Sequence, residues 1–499
     1  MNVASLLDGH ADEVVALISR NRETTYGELR DQVARMRGGL AALGVGSGDR
    51  VAILCGNNRY FVVSYFAIVG LGAVAVPLNP ASPGPELQRE LATVDPCAVV
   101  VGPAARAGWS KVDRAALPTI RFVVHAEGDA GADVDFEELL RADPMPTVDV
   151  DADHLAALLF TSGTAGPPRA AMLSHRNLLA NIEQDLTTRD HTTAGDIVYG
   201  VLPLFHIFGL NVVLGVSLHV GATLLLVQRF DPATAVQSIV QRGVTVVPGA
   251  PPMWIAFSHF DELPADSFAT VRLALSGASR LSPAVGERFA ERFGVEIHEG
   301  YGLTEAAPVV TSSSGIARRP GSVGKVLVGI DIRLVGDDGD DVPVGDSGEI
   351  WVRGENVFLG YWNDQAATDR VLRDGWLRTG DVAVADEDGY LYLVDRAKDL
   401  IIVSGFNVFP AEVEAVLVTH PDVVEAGVLG VPHPHYGEAV KAYVVAAPGS
   451  DLDEEALIDY SMDYLARYKC PTKVIFVEQL PRNAAGKLIR RELEGTLLA

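Results

Sequence analysis

Apolar residues at Leu29, Val33, Met36, Leu40 and Leu43 recur at helical spacing behind a Thr25/Glu28 capping-box pair and stop at Gly44, which predicts an amphipathic helix. A short apolar run over residues 51–55 then reads as a strand, residues 60–71 as a helix and residues 73–76 as a second strand. The same alternation returns over residues 90–101 and 120–125. Strands alternating with helices predict an α/β fold with a mostly parallel sheet covered by helices.

After about Gly321 the texture changes to short strands and turn signals, as in DIRLV, GDDGDDVPVGDSG and GEIWVRG, which predicts a small β-rich subdomain. From about Asp399 a compact α+β unit follows, with a helix beginning near Pro410 and strands over residues 424–429, 442–445 and 474–477. The expected division is an N-terminal domain of residues 1–397 and a C-terminal domain of residues 398–499, with the boundary at Lys398. Between Asp196 and Arg229 no Asp, Glu, Lys or Arg occurs, so this stretch imitates a membrane span. Pro203, His206, Asn211 and His219 interrupt it, and it reads instead as a loop, a buried helix and a strand over residues 222–227.

At 499 residues and 48% hydrophobic content the chain can bury large cores. A formal charge of −25 excludes a general nucleic-acid binder, because phosphate backbones are captured by clustered Lys and Arg. An anionic ligand must therefore meet cations placed locally. Three distant cysteines, Cys55, Cys97 and Cys470, suggest neither a disulfide framework nor a metal site and fit a reducing cytoplasm. The segment MNVASLLDGHADE has no basic start and meets Asp8 before any long apolar run, so it does not read as a signal peptide.

Five segments carry candidate chemistry. TSGTAGPPR, residues 161–169, has small residues that let backbone N–H groups turn toward an anion, with hydroxyls from Thr161, Ser162 and Thr164 around Gly163; it lacks the GK[ST] of a Walker loop. EGYGLTE, residues 299–305, offers the flat face of Tyr301 to a purine, the Thr304 hydroxyl to a phosphate and the Glu305 carboxylate to Mg²⁺. RTGD, residues 378–381, places Asp381 after a tight turn, where a carboxylate can accept both ribose hydroxyls. DRAKDLIIVSGFNVFP sets Arg396 and Lys398 at the domain boundary, and PRNAAGKLIRREL sets Lys487 on a glycine-containing turn near the end. Taken singly, each is an ordinary turn or solvated charge.

Taken in this order and spacing, the segments resemble the adenylate-forming superfamily of acyl-CoA synthetases, aryl-CoA ligases, firefly luciferase and peptide-synthetase adenylation domains. The likeness covers almost the whole chain and extends to PLFHIFG (203–209), SGAS (276–279), GEIWVRG (348–354) and YKCP (468–471). It implies a large N-terminal domain of parallel-sheet α/β subdomains plus a β-rich one, and a small mobile C-terminal domain hinged at Lys398. It implies an ATP-dependent acid–thiol ligase that forms acyl-AMP and pyrophosphate, then acyl-CoA and AMP, with ATP, Mg²⁺ and coenzyme A as the small molecules involved.

By the same matching, Lys487 contacts the acid carboxylate and α-phosphate during adenylation, and Ser404, Gly405 and Phe406 face the coenzyme A tunnel after rotation. Gly277, Ala278, Ser279 and Tyr301 line the adenine; Asp381 and Arg396 hold the ribose; Thr161, Ser162, Gly163, Thr164 and Thr304 hold the phosphates; Gly300, Gly302 and Arg169 also belong to the nucleotide site. Glu305 positions Mg²⁺. The acid pocket is expected among His206, Met253, Trp254, Gly300, Gly302 and Val309, apolar or small residues that suit an apolar acyl or aromatic tail better than a free amino acid, and a medium- or long-chain fatty acid is the expected substrate. The PLFHIFG segment lacks the Asp that amino-acid-activating members keep. The phosphate loop departs from the common form in having Arg169 for Lys and Ala170 for Gly, and Arg differs from Lys in reach and shape.

Two alternatives share these motifs: an aryl, coumarate-type CoA ligase that differs in pocket shape, and an acyl-AMP ligase that loads a carrier protein. The second carries an insertion ahead of the hinge, and residues 348–398 look short and regular. A monomer or homodimer with at most peripheral membrane contact is expected, since no long basic amphipathic helix is present.

Overall fold

The computed structural model describes residues 1–499 except 21, 128–132, 162–168, 337, 397–400, 404–405, 409, 434–436, 466, 484–485, 487, 491 and 494–499; of 395, 396, 402, 406, 407 and 437 it describes the backbone alone. The helix Tyr26–Ala42 opens on the capping box read from the sequence: Glu28 N–H donates to Thr25 Oγ1 at 3.2 Å and Thr25 N–H donates to Glu28 Oε2 at 3.1 Å. Leu29, Val33, Met36 and Leu40 are buried beneath it, and Gly44 turns the chain with a φ of 80°.

Two large sheets follow from the alternation. Arg50–Leu54, Val74–Pro77, Ala98–Val101, Phe122–His125 and Leu155–Thr161 run parallel inside an eight-stranded sheet. Ile197–Gly200, Thr223–Leu226, Val246–Gly249, Leu273–Ser276 and Ile297–Gly302 run parallel inside a nine-stranded one. The helix Arg59–Gly70 is buried from Phe61 onward, as an all-apolar helix must be, and joins strands of both sheets in one continuous core.

The charge-free stretch forms a loop, a wide-turned π-helix over Phe208–Gly215, the short α-helix Val216–Val220 and the strand Thr223–Leu226. Gly209 permits the wide turn, since a Cβ there would lie 2.1 Å from the Pro203 carbonyl oxygen. No helix among the described residues is long and apolar enough to cross a membrane.

Ile330–Val335, Ser347–Gly354, Leu372–Arg373, Trp376–Ala385 and Leu391–Arg396 form the β-rich sheet, antiparallel throughout. From Ile401 the chain builds a separate five-stranded sheet on Val423–His433 and Gly437–Ala446, covered by Pro410–Leu417 and Glu454–Met462. Its core is its own, with Val413, Leu417, Val428, Val440 and Leu457 buried together. Lys398 lies outside the described residues.

Candidate active site

A cavity of about 1180 Å³ opens where the carboxyl ends of the parallel strands meet the β-rich sheet and the C-terminal unit. Thr161, Arg169, His206, Gly277, Ala278, Ser279, Gly300, Tyr301, Gly302, Thr304, Glu305, Val309 and Asp381 all line it, although they come from segments far apart in the chain.

At its phosphate-loop end, Leu155–Thr161 and Arg169–Ser174 pair antiparallel, with Thr161 opposite Arg169. Ser162, Gly163 and Thr164 lie outside the described residues. Arg169 Nε donates to Asp364 Oδ2 at 3.0 Å, and its guanidinium stands 5.8 Å from the Tyr361 ring centroid. Asp364 also caps the helix Gln365–Val371 by accepting Ala367 N–H at 2.9 Å. Ala170 is buried in an apolar cluster with Leu158, so its methyl group is packed rather than projected into the cavity.

Glu305 sits in the single turn Thr304–Ala306, and Tyr361 O–H donates to its Oε1 at 2.7 Å. Burial, then the negative charge of Glu305, pushes the Tyr361 phenol well above its ordinary range, so it stays a donor. Tyr361 and Asp364 escaped the sequence reading; a glycine followed by two aromatics, Gly360-Tyr361-Trp362, was the available signal.

At the other end, Tyr301 O–H donates to Asp381 Oδ2 at 2.7 Å. The tight turn expected at RTGD is instead a bulge within the strand Trp376–Ala385, where Gly380 takes a φ of 73°. Glu349 causes the bulge: its carboxylate accepts Gly380 N–H at 3.1 Å, Trp351 Nε1 at 2.9 Å and Arg378 Nη2 at 3.1 Å. The backbone of Arg396 pairs opposite Asp381, while its side chain is outside the described set. Ala278 turns the wall after Leu273–Ser276 with a φ of 68°. Glu299 is buried at the same wall; its Oε2 accepts Leu281 N–H at 3.2 Å, and burial pushes its carboxyl up to about 7.

His206 precedes the π-helix, and its Nδ1 accepts Phe208 N–H at 3.3 Å, which leaves the proton of the neutral ring on Nε2. Asn211 holds that helix in place by donating to the carbonyls of Leu178 at 3.0 Å and Ala307 at 2.7 Å. Met253 and Trp254, expected in the acid pocket, do not line the cavity. Trp254 is 0% exposed and packs edge-on against Phe289 at 5.2 Å, because the short helix Pro251–Ser258 turns its aromatic face into the core.

The C-terminal unit covers the opening with Arg482, Asn483, Leu488 and Arg490, all lining the same cavity. Arg490 pairs with Glu414 at 2.9 Å, and Arg482 Nη1 donates to the Gly486 carbonyl at 2.8 Å. Lys487, Ser404 and Gly405 lie outside the described residues, as does the side chain of Phe406.

The cleft is shared by two α/β sheets and capped by a small terminal unit, the arrangement that the resemblance to adenylate-forming enzymes implies. Residues 7–362 match the family described as AMP-binding enzyme and residues 412–487 its C-terminal domain, and the chain belongs to that family. It is 38% identical to a feruloyl-CoA synthase of Amycolatopsis sp over 94% of this chain and 93% of that protein. It is 35% identical to a long-chain-fatty-acid–CoA ligase of Yersinia pestis over 96% and 91%. The crystal structure of ATP-bound MatB from Rhodopseudomonas palustris superposes with a TM-score of 0.91 at 33% identity, covering 99% of both chains. The protein is an AMP-forming acyl- or aryl-CoA ligase that uses ATP and coenzyme A.

Proposed function

We propose that this ligase activates a planar aryl acid of the hydroxycinnamate class. The carrying observation is the acid chamber of the cavity. Gly300 and Gly302 add no side chain to the wall they line, and Phe208, Val212 and Val309 supply its apolar remainder. That wall cannot thicken at Gly302, where a Cβ would lie 2.2 Å from the Pro308 carbonyl oxygen. The similarity to feruloyl-CoA synthase favours the same class. A medium- or long-chain fatty acid is the second reading, favoured by the Yersinia relative and the cavity's volume of about 1180 Å³.

The reaction has two displacements. The acid's carboxylate oxygen attacks the α-phosphorus of ATP and expels pyrophosphate; the thiol of coenzyme A, losing its proton, then attacks the acyl carbonyl carbon and expels AMP. In the first step His206, which lines the cavity, would donate to the acid carboxylate and orient it. Thr161, Thr164, Thr304 and Arg169 receive the phosphates, with Lys487 meeting the charge that builds at the α-phosphate. Asp381 and Arg396 hold the ribose, and Gly277, Ala278, Ser279 and Tyr301 enclose the adenine.

Glu305 places a carboxylate, a hard oxygen donor, in the cavity wall beside Thr304, which suits a hard cation shared with nucleotide phosphates. Glu305 would hold such a Mg²⁺, which when bound supplies positive charge against the departing pyrophosphate. Rotation about Lys398 would then exchange Lys487 for the Ser404–Gly405–Phe406 segment at the thioester step. The test is acid-dependent AMP release, with and without coenzyme A, across hydroxycinnamic, benzoic and octanoic to palmitic acids. Hydroxycinnamic acids should give the highest kcat/KM, with acyl-CoA as product. A fatty acid ahead of every aryl acid would overturn the substrate class, and acyl-AMP accumulation indifferent to coenzyme A would overturn the acceptor.

A further inference from the structure

We propose that Asp185 is a specificity-determining residue of the acid chamber, taking a hydrogen bond from a hydroxyl carried at the far end of the acid. The inference rests on the aryl-acid reading above and specifies which aryl acids it means.

Asp185 ends the helix His175–Asp185 and lines the main cavity. It also lines a second cavity of about 20 Å³ that shares Val212, Leu275 and Ser312 with the first. These four residues therefore form the partition between the two spaces, and Asp185 is the one charged group in it. Asp185 is partly exposed where it lines the two cavities, and burial of its carboxyl pushes it up to about 6.

The fold gives this carboxylate electrostatic support from His191, which lines the same small cavity. Among the described residues it accepts no hydrogen bond and forms no ion pair, and nearby Thr188 Oγ1 donates to the backbone carbonyl of Asp185, at 2.8 Å, instead. A negative charge in the last turn of a helix also faces the negative end of the helix dipole. A carboxylate that lines both cavities, bonds to no described residue and opposes the helix dipole is explained by what enters the cavity.

The neighbours Val212 and Leu275 are apolar, and a fully charged distal group would be desolvated against a single carboxylate there. A neutral hydroxyl satisfies the acceptor without that penalty. A phenol on the ring of a hydroxycinnamic acid carries its hydrogen at the end opposite the reacting carboxylate, as the partition requires.

The experiment compares kcat/KM for para-hydroxycinnamic and cinnamic acid by AMP release in the wild type, D185N and D185L, with KM for ATP measured alongside. The wild type should prefer the hydroxylated acid, and D185L should shrink that preference about 10- to 100-fold while KM for ATP stays unchanged. D185N keeps the shape and decides the matter should D185L not fold; an intermediate preference is expected of it. An unchanged ratio in the variants overturns the role of Asp185 and leaves the aryl-acid reading standing. Turnover of neither aryl acid overturns that reading and this inference with it.

Discussion

Tyr361 donates its phenolic hydrogen to Glu305 Oε1 at 2.7 Å while its ring lies 5.8 Å beneath the guanidinium of Arg169. One aromatic side chain thus connects the proposed metal ligand to the cation at the exit of the phosphate loop. Arg169 in turn is held by Asp364, the cap of the next helix, so the phosphate end of the cavity is one linked unit. The linkage explains why an arginine can stand where relatives of this pattern carry lysine: its planar face and its fork each have a partner.

Replacing Tyr361 by Phe removes the hydrogen bond and keeps the ring beneath Arg169. A bond to a charged acceptor is worth about 10- to 100-fold, and kcat/KM for ATP should fall by that factor with little change in KM for the acid. Steady-state AMP release at varied Mg²⁺ and ATP measures it. Equal loss for both substrates would mean that the tyrosine only supports the fold.

The Arg169–Asp364 pair is about one-third exposed on both sides, so its contribution to stability is about 1 kcal/mol or less. R169K should therefore melt within about 2 °C of the wild type. Acid-dependent ATP–pyrophosphate exchange should fall further, about 10- to 100-fold in R169A and less in R169K, which keeps the charge. Wild-type exchange in R169A would remove the guanidinium from phosphate handling.

Local signals made much of this architecture legible. The capping box at Thr25, the apolar run after Arg59 and the interrupted stretch around Pro203 each became the element that their period and breakers predict. What stayed hidden depends on partners remote in sequence. Asp364 acquires its meaning from Arg169, 195 residues away. RTGD reads as a turn until Glu349, on a neighbouring strand, draws Gly380 N–H into a bulge. The helix holding Trp254 is apolar on nearly every side, so periodicity could not say which face meets the core. Asp185 carries no signal in the sequence, and its place shows only with both cavities around it.

Glu90 and Glu299 are buried, and burial first of all, then Glu86 for Glu90, pushes each carboxyl from an ordinary 4.5 up to about 7. In that interval the folded chain keeps protons that the unfolded chain has released. Their contribution is whole below about pH 4.5 and is lost as pH rises to about 7, on the order of 3 kcal/mol each. E90Q and E299Q remove the titration, so each should gain stability relative to the wild type between pH 5 and pH 8. Urea unfolding at the two pH values reads the change. Parallel shifts, with the same gap at both, would contradict it.

The two half-reactions can be separated at Lys487. Its neighbours are fixed against the cavity: Gly486, at a φ of 81°, accepts from Arg482 through its carbonyl and donates its N–H to the Asn483 carbonyl at 2.9 Å, and Leu488 lines the wall. A Cβ at Gly486 would stand 3.4 Å from Ala250 and 3.5 Å from Pro252, so the loop seats directly on the strand-to-helix corner of the large domain. On the mechanism proposed above, a lysine following this loop would meet the α-phosphate only while the C-terminal unit holds this pose. K487A should reduce acid-dependent pyrophosphate exchange by at least about 100-fold and leave thioester formation from supplied acyl-AMP and coenzyme A within about twofold. Comparable losses in both assays would show that the lysine serves both steps, and the division of labour between two poses would fall.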